Sequence, residues 1–80
     1  MKRGDIMYYA NIHPPFFDLC ELYIRTIDKE DGWFVGVDKN DGVAHLFIDD
    51  EIGEVVFHTR DEALHLLWSE EAKYKEENAE

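Results

Sequence analysis

The chain of 80 residues has one cysteine, one serine and two prolines, and the prolines are adjacent. Each scarcity excludes something. Cys20 has no second thiol to pair with, so no internal disulfide is expected and the setting reads as reducing and cytoplasmic. Ser69, the single serine, falls in a helical stretch, so there is no serine elbow, and no glycine-rich phosphate loop is present. No stretch approaches the roughly 18 apolar residues that a membrane span needs. MKRGDIMYYA has no uninterrupted apolar run behind its two basic residues, so neither a signal peptide nor an anchor is expected.

Positive charge is also scarce. Eight Lys and Arg stand against nineteen Asp and Glu, a formal net charge of −11. The imbalance is uneven: residues 1–27 hold three acids and three bases, whereas residues 28–54 hold nine acids against Lys29 and Lys39. Such a field repels nucleic acid and anionic membranes and attracts basic protein surfaces. Direct binding to nucleic acid or membrane is therefore not expected. A chain this short buries only about 60% of the surface its unfolded form exposes, which leaves one modest core and no deep catalytic cleft.

Apolar alternation marks five strands, about 5–12, 19–27, 33–37, 43–49 and 55–58, and a change to helical period marks a helix about 60–75. His13-Pro14-Pro15 reads as a stiff loop or a crossing at the sheet edge. In the second strand Cys20, Leu22 and Ile24 face one way, and Leu19, Glu21, Tyr23, Arg25 and Ile27 the other. Gly36 marks a bulge or a close backbone approach. Thr59-Arg60-Asp61-Glu62 has the form of a capping box, and Ala63, Leu64, Leu67 and Trp68 form an apolar stripe flanked by Leu66 and Tyr74. Residues 76–80 have nothing apolar to bury and are expected to fray. The expected fold is α+β and a single domain over 1–77: a small, strongly bent antiparallel sheet, an SH3-like partial barrel of about five strands, with one C-terminal helix. A flat sheet with the helix on one side is the alternative.

DKEDG at 28–32 and DKNDG at 38–42 repeat one phrase around a strand. They are not EF-hand loops: glycine comes at position 5 rather than 6, and position 12 is Lys39 or Asp49 in place of glutamate. They read as turns. The histidines, His13, His45, His58 and His65, are scattered, although His45 and His58 sit in strands that can meet across a sheet. With one thiol and no close His or Cys pair, no metal site is expected. Cys20 beside a histidine suggests a nucleophile, but no third, orienting group is placed. Asp49-Asp50-Glu51 reads as a solvated acidic run. No enzyme and no cofactor are expected.

What remains is surface. Adjacent strand residues point to opposite faces, so Trp33 and Phe34 cannot both lie inside, nor can Tyr8 and Tyr9. Either an aromatic is exposed among the acids, or the helix covers the second face. The expected contact set for a basic protein partner is Asp28, Glu30, Asp31, Asp38, Asp41, Asp49, Asp50, Glu51 and Glu54, with Trp33 or Phe34 as the desolvated anchor. The plainer alternative is that these acids only keep a small protein soluble.

Two stretches carry a resemblance. KRGDIMYYANI resembles the opening of MazF-type toxin ribonucleases, an SH3-like barrel family, over about a dozen residues. Where those toxins carry a Gly-Gly…Arg-Pro segment this chain has HPPFFDLCELYIRT, so the resemblance implies the barrel and transfers no catalytic residue. IGEVVFHTRDEALHLL resembles the closing phrase of small uncharacterised proteins from prophages of Firmicutes. By analogy, that resemblance implies an accessory protein that inhibits host defence, in the manner of anti-CRISPR proteins whose carboxylates stand in for phosphates on a nucleic-acid-binding nuclease. Two other classes stay open: an oligomeric protein that sequesters a small molecule or nucleotide, and a MazF-related barrel without catalytic residues.

Overall fold

The structure, a computed structural model, describes residues 1–78. Five strands, β1 (Ile6–His13), β2 (Phe16–Asp28), β3 (Trp33–Asp38), β4 (Ala44–Ile48) and β5 (Val56–Phe57), precede one helix, α1 (Arg60–Glu77). A single 3-10 turn, Asp49–Glu51, follows β4. The strands form one antiparallel sheet in the order β4-β3-β2-β1-β5. β4 and β5 occupy opposite edges, so the sheet is open, and His58, which lies just past the end of β5 rather than in it, does not meet His45 across a strand pair.

Pro14 and Pro15 form the turn of the β1–β2 hairpin rather than a crossing, because His13 pairs directly with Phe16. Two residues without amide donors are tolerated where no ladder bond is required. β2 therefore starts three residues earlier than Leu19. It is long enough to serve two neighbours: Phe16 to Tyr23 pair with β1, and Leu22 to Asp28 pair with β3.

A bulge between Ile24 and Thr26 changes the phase of β2. One extra residue reverses the in–out alternation. Ile27 thus joins Leu22 and Ile24 on the same face, against the simple alternation that would put it with Tyr23 and Arg25. That face holds Met7, Cys20, Leu22, Ile24, Phe34, Phe47 and Val56. It is concave. The rings of Tyr9 on β1 and Phe47 on β4 are 4.9 Å apart although β2 and β3 lie between their strands. In a flat sheet three strand spacings would separate them by about 14 Å. The connector from β4 crosses this concavity to reach the far edge, where the Ala10 amide donates to the Val55 carbonyl at 2.8 Å. Ile52 and Val55 pack against the core on the way.

The convex face is covered only in part. Ala63 and Leu67 of α1 pack with Ala10 and Phe57, with Tyr8, Ile12, Phe17 and Leu19 around them. Thr59 caps the helix, its hydroxyl accepting from the Glu62 amide at 3.3 Å. The Glu62 carboxylate accepts from the Thr59 hydroxyl at 2.7 Å instead of reaching the Thr59 amide. Trp68 is not in the buried stripe; it is 63% exposed. At roughly 100° per residue, Leu67 and Tyr74 fall within about 40° of Ala63, whereas Trp68 lies about 140° away. Tyr74 instead meets Phe17, with ring centroids 5.7 Å apart. The helix continues to Glu77, so residues 76 and 77 are helical, while 79 and 80 lie outside the described residues.

Leu67→Ala should destabilise the fold by about 2–5 kcal/mol, whereas Trp68→Ala should stay within about 0.5 kcal/mol of wild type. Urea unfolding of the two variants checks this. Gly36 is a close-approach glycine: a Cβ there meets Leu22 Cδ1 at 3.0 Å and Leu22 Cβ at 3.1 Å. Gly36→Ala in the same assay should cost about 1–3 kcal/mol through overpacking.

Candidate partner-binding surface

The two repeated phrases are turns, each closing on a glycine with positive φ, Gly32 at +74° and Gly42 at +73°. Their aspartates shape the backbone. Asp28 accepts from the Asp31 amide at 2.9 Å, Asp38 from the Asn40 amide at 2.7 Å and Asp41 from the Val43 amide at 2.9 Å. Glu51 likewise accepts from the Ile48 amide at 3.0 Å. Asx side chains bonded to nearby amides are the ordinary chemistry of tight turns. These four carboxylates are therefore already engaged in holding loops.

The fold divides the expected contact set. The first turn and the acidic segment after β4 meet at one end of the sheet, where the Asp49 amide donates to the Gly32 carbonyl at 2.9 Å. Asp31, Gly32, Ile48, Asp49 and Asp50 line a shallow recess of about 380 Å³ there, and Glu30 is exposed beside it. The second turn, with Asp38 and Asp41, lies at the opposite end of β3, about 20 Å away at the rise of a strand. Glu54 is exposed in the crossing connector. Two members are buried. Phe34 is 0% exposed, stacked on Phe47 at 5.4 Å, and Asp38 is only 6% exposed. Both point into the concave face, so neither is available to a partner. Trp33, on the other face, is the half-buried member of the pair.

Trp33 belongs to an apolar strip that sequence patterning did not single out. The helix lies over β1 and the first half of β2, which leaves the convex face of β3 and β4 bare. Cross-strand pairs Trp33–Ile48, Val35–Leu46 and Val37–Ala44 line up along it. Leu46 is 69% and Ile48 53% exposed. Trp33, Val35, Ala44, Leu46 and Ile48, with Arg25 and His45, line an open recess of about 490 Å³. Alternation alone assigns Leu46 and Ile48 to one face of β4. Only strand order and helix placement show that nothing covers that face. The strip runs directly into the acidic end, because Ile48 borders both recesses.

A third recess, polar and of about 310 Å³, lies near the second turn, lined in part by Asp18, Cys20, Asp38, Asp41 and His45. It has the residue types of a thiol site but opposite electrostatics. Burial, then a hydrogen bond to the Asp38 carboxylate and the charge of that group, push the Cys20 thiol up to about 12. A reactive cysteine needs the thiolate to be stabilised. Here the thiol proton is held. Among the described residues no group of three His, Cys, Asp or Glu side chains is arranged to hold a metal ion, and no helix is long and apolar enough to cross a membrane.

Comparison of the chain with protein-family models, with curated proteins and with solved structures gives no match.

Cys20 carries a prediction about pH. Its folded value is raised above the ordinary 9.0, so the fold favours the neutral thiol, and that contribution is complete below pH 9 and lost as pH rises towards 12. Tyr9, raised chiefly by burial, acts with the same sign. The urea midpoint should fall across pH 9 to 12, and less steeply in Cys20→Ala. An identical slope in that variant would show that the thiol proton does not stabilise the fold.

Proposed function

We propose that this protein is a non-enzymatic binding module that engages a basic protein surface through the convex face of β3 and β4. One observation carries the reading: an apolar strip, with Leu46 and Ile48 exposed and Trp33 and Val35 half-buried beside them, runs into a cluster of outward carboxylates, Glu30, Asp31, Asp49 and Asp50. Exposed ion pairs contribute only about 0–1 kcal/mol each. Removal of apolar area from water at about 25 cal/mol per Å² supplies the greater part of the affinity, and the carboxylates select a partner of opposite charge and speed encounter.

In this reading the partner is a nucleic-acid-binding protein of bacterial host defence, and binding in the cytoplasm inhibits it by placing carboxylates where phosphates would bind. The prophage resemblance of IGEVVFHTRDEALHLL and the excess of acid support that step. The inert Cys20 supports the absence of an enzymatic role. Membership among SH3-like partial barrels belongs to the same proposal. It is supported by the rolled sheet, by the bulged β2 shared between two sets of strands, and by the connector that crosses the concavity from β4 to β5.

The test is affinity capture from nuclease-treated Firmicute lysate at low and high salt, with four baits. Wild type should enrich a basic nucleic-acid-binding protein whose recovery falls at high salt. Leu46→Glu and the Asp49→Lys, Asp50→Lys double variant should each reduce recovery by about tenfold or more. Asp61→Lys with Glu76→Lys, a comparable charge change on the helix, should leave it unchanged. Equal losses from both charge reversals would reduce the acids to a general solubilising field and overturn the reading.

A further inference from the structure

The hydrogen-bond phase of β4 determines what its free edge offers. The Asp38 amide donates to the Val43 carbonyl and the Asp49 amide to the Gly32 carbonyl, each at 2.9 Å. Both pairs lie in the same register as Gly36–His45 and Phe34–Phe47. In an antiparallel ladder, bonded and non-bonded pairs alternate. The backbone groups of Val43, His45, Phe47 and Asp49 therefore point towards β3, and those of Ala44, Leu46 and Ile48 point outward. Glu51 takes the outward amide of Ile48 at 3.0 Å. The amides and carbonyls of Ala44 and Leu46 and the carbonyl of Ile48 have no backbone partner on that edge among the described residues.

Such an edge is normally blunted by proline, charge, shortness or cover. Two of the other open edges are blunted in this way: β5 is two residues long, and the free half of β2 carries Asp18 and Glu21. β4 reads AHLFI, with no proline and no acidic, lysine or arginine residue, and three of its five residues are exposed. Carboxylates guard only its ends, with Asp41 before it and Asp49, Asp50 and Glu51 after it. That arrangement disfavours a second copy of this chain. Antiparallel self-pairing centred on Leu46 sets Asp41 of one copy against Glu51 of the other, twice. It favours a guest whose charged ends are positive.

We propose that the outer edge of β4 accepts an extended segment of a basic partner as a sixth strand, with apolar residues at alternate positions beside Ala44, Leu46 and Ile48 and with Lys or Arg at each end. The inference rests on the basic-partner reading above and specifies how the contact is made. Backbone bonds to Ala44 and Leu46 set the register of the guest, its apolar side chains extend the bare convex strip, and its basic ends meet Asp41 on one side and Asp49 and Asp50 on the other.

The probe is a synthetic peptide of alternating valine and threonine with two lysines at each end, compared with the same peptide N-methylated at the residues whose amides face β4. Amide hydrogen exchange by NMR is the readout. Binding should slow exchange at Ala44 and Leu46 and leave the already bonded His45 and Phe47 little changed. N-methylation should weaken binding by about tenfold or more. Ala44→Pro should do the same, because the amide it removes points outward and is not in the β3 ladder. If that variant fails to fold, the exchange pattern of wild type and the N-methylated peptide decide the matter. Equal affinity of the two peptides, with Ala44 and Leu46 unprotected, overturns strand addition but leaves the basic-partner reading intact. Protection of those amides in the free protein, with a dimer in sedimentation, assigns the edge to a second copy and overturns the proposal. No binding at about 1 mM also overturns it, and lysate capture then tests the wider reading separately.

Discussion

Phe34 has no exposed surface, and the arrangement that hides it organises the rest of the molecule. A sheet has two faces, and this chain has only one helix to cover them. An 18-residue helix is about 27 Å long, less than is needed to cover a whole face of a sheet built on a 13-residue central strand and four neighbours. The sheet answers by curling. Rolling brings Tyr9 and Phe47 together from strands three places apart and closes the concave face over Phe34, Leu22 and Ile24 with the chain's own connector as a lid. The helix is then available for half of the convex face. The other half, over β3 and β4, is what the closure of the concave core leaves uncovered.

The charge distribution follows the same division. Many carboxylates are parts of turns, holding amides at the corners that the curl requires, and one of them, Asp38, is buried in the recess it shares with Cys20 and accepts from the Asn40 amide. Count of acids is thus a poor measure of acidic surface. Glu30, Asp31, Asp49 and Asp50 form a local feature because the first turn and the 3-10 segment are joined through Gly32 and Asp49, not because they are close in sequence.

Local rules made much of the fold legible in the sequence. Alternation located every strand, the glycines of the two repeated phrases located their turns, and Thr59 with Glu62 located the start of the helix. Features that depend on distant parts of the chain were not legible. Alternation states that Trp33 and Phe34 are on opposite faces, but which face is inner depends on the direction of the curl. Spacing admits Trp68 to the helical stripe, but the docking axis through Ala63, Leu67 and Tyr74 is set by Phe17 and Ala10 on another element. The bulge at Arg25 adds a residue with no sequence mark of its own and moves Ile27 to the other side. For the candidate surface, the acidic half could be read from composition. Leu46 and Ile48 could not, since their exposure follows from the position of β4 at the edge and of α1 elsewhere.

The long β2 has one more consequence. Three of the four strand pairings, β1–β2, β2–β3 and β3–β4, join neighbours in sequence across short turns, and only β1–β5 is distant. Closing a short loop costs less chain entropy than closing a long one, so contacts between sequence neighbours are favoured early in assembly. β2 is the common template for the first two hairpins, one on each half of its length. The order of closure costs then favours a meander that is complete through β4 while the β5 pairing and the helix docking still wait on the last third of the chain. On this order the exposed edge of β4 is in place before the helix docks, so it is open to a guest strand even in a half-assembled molecule.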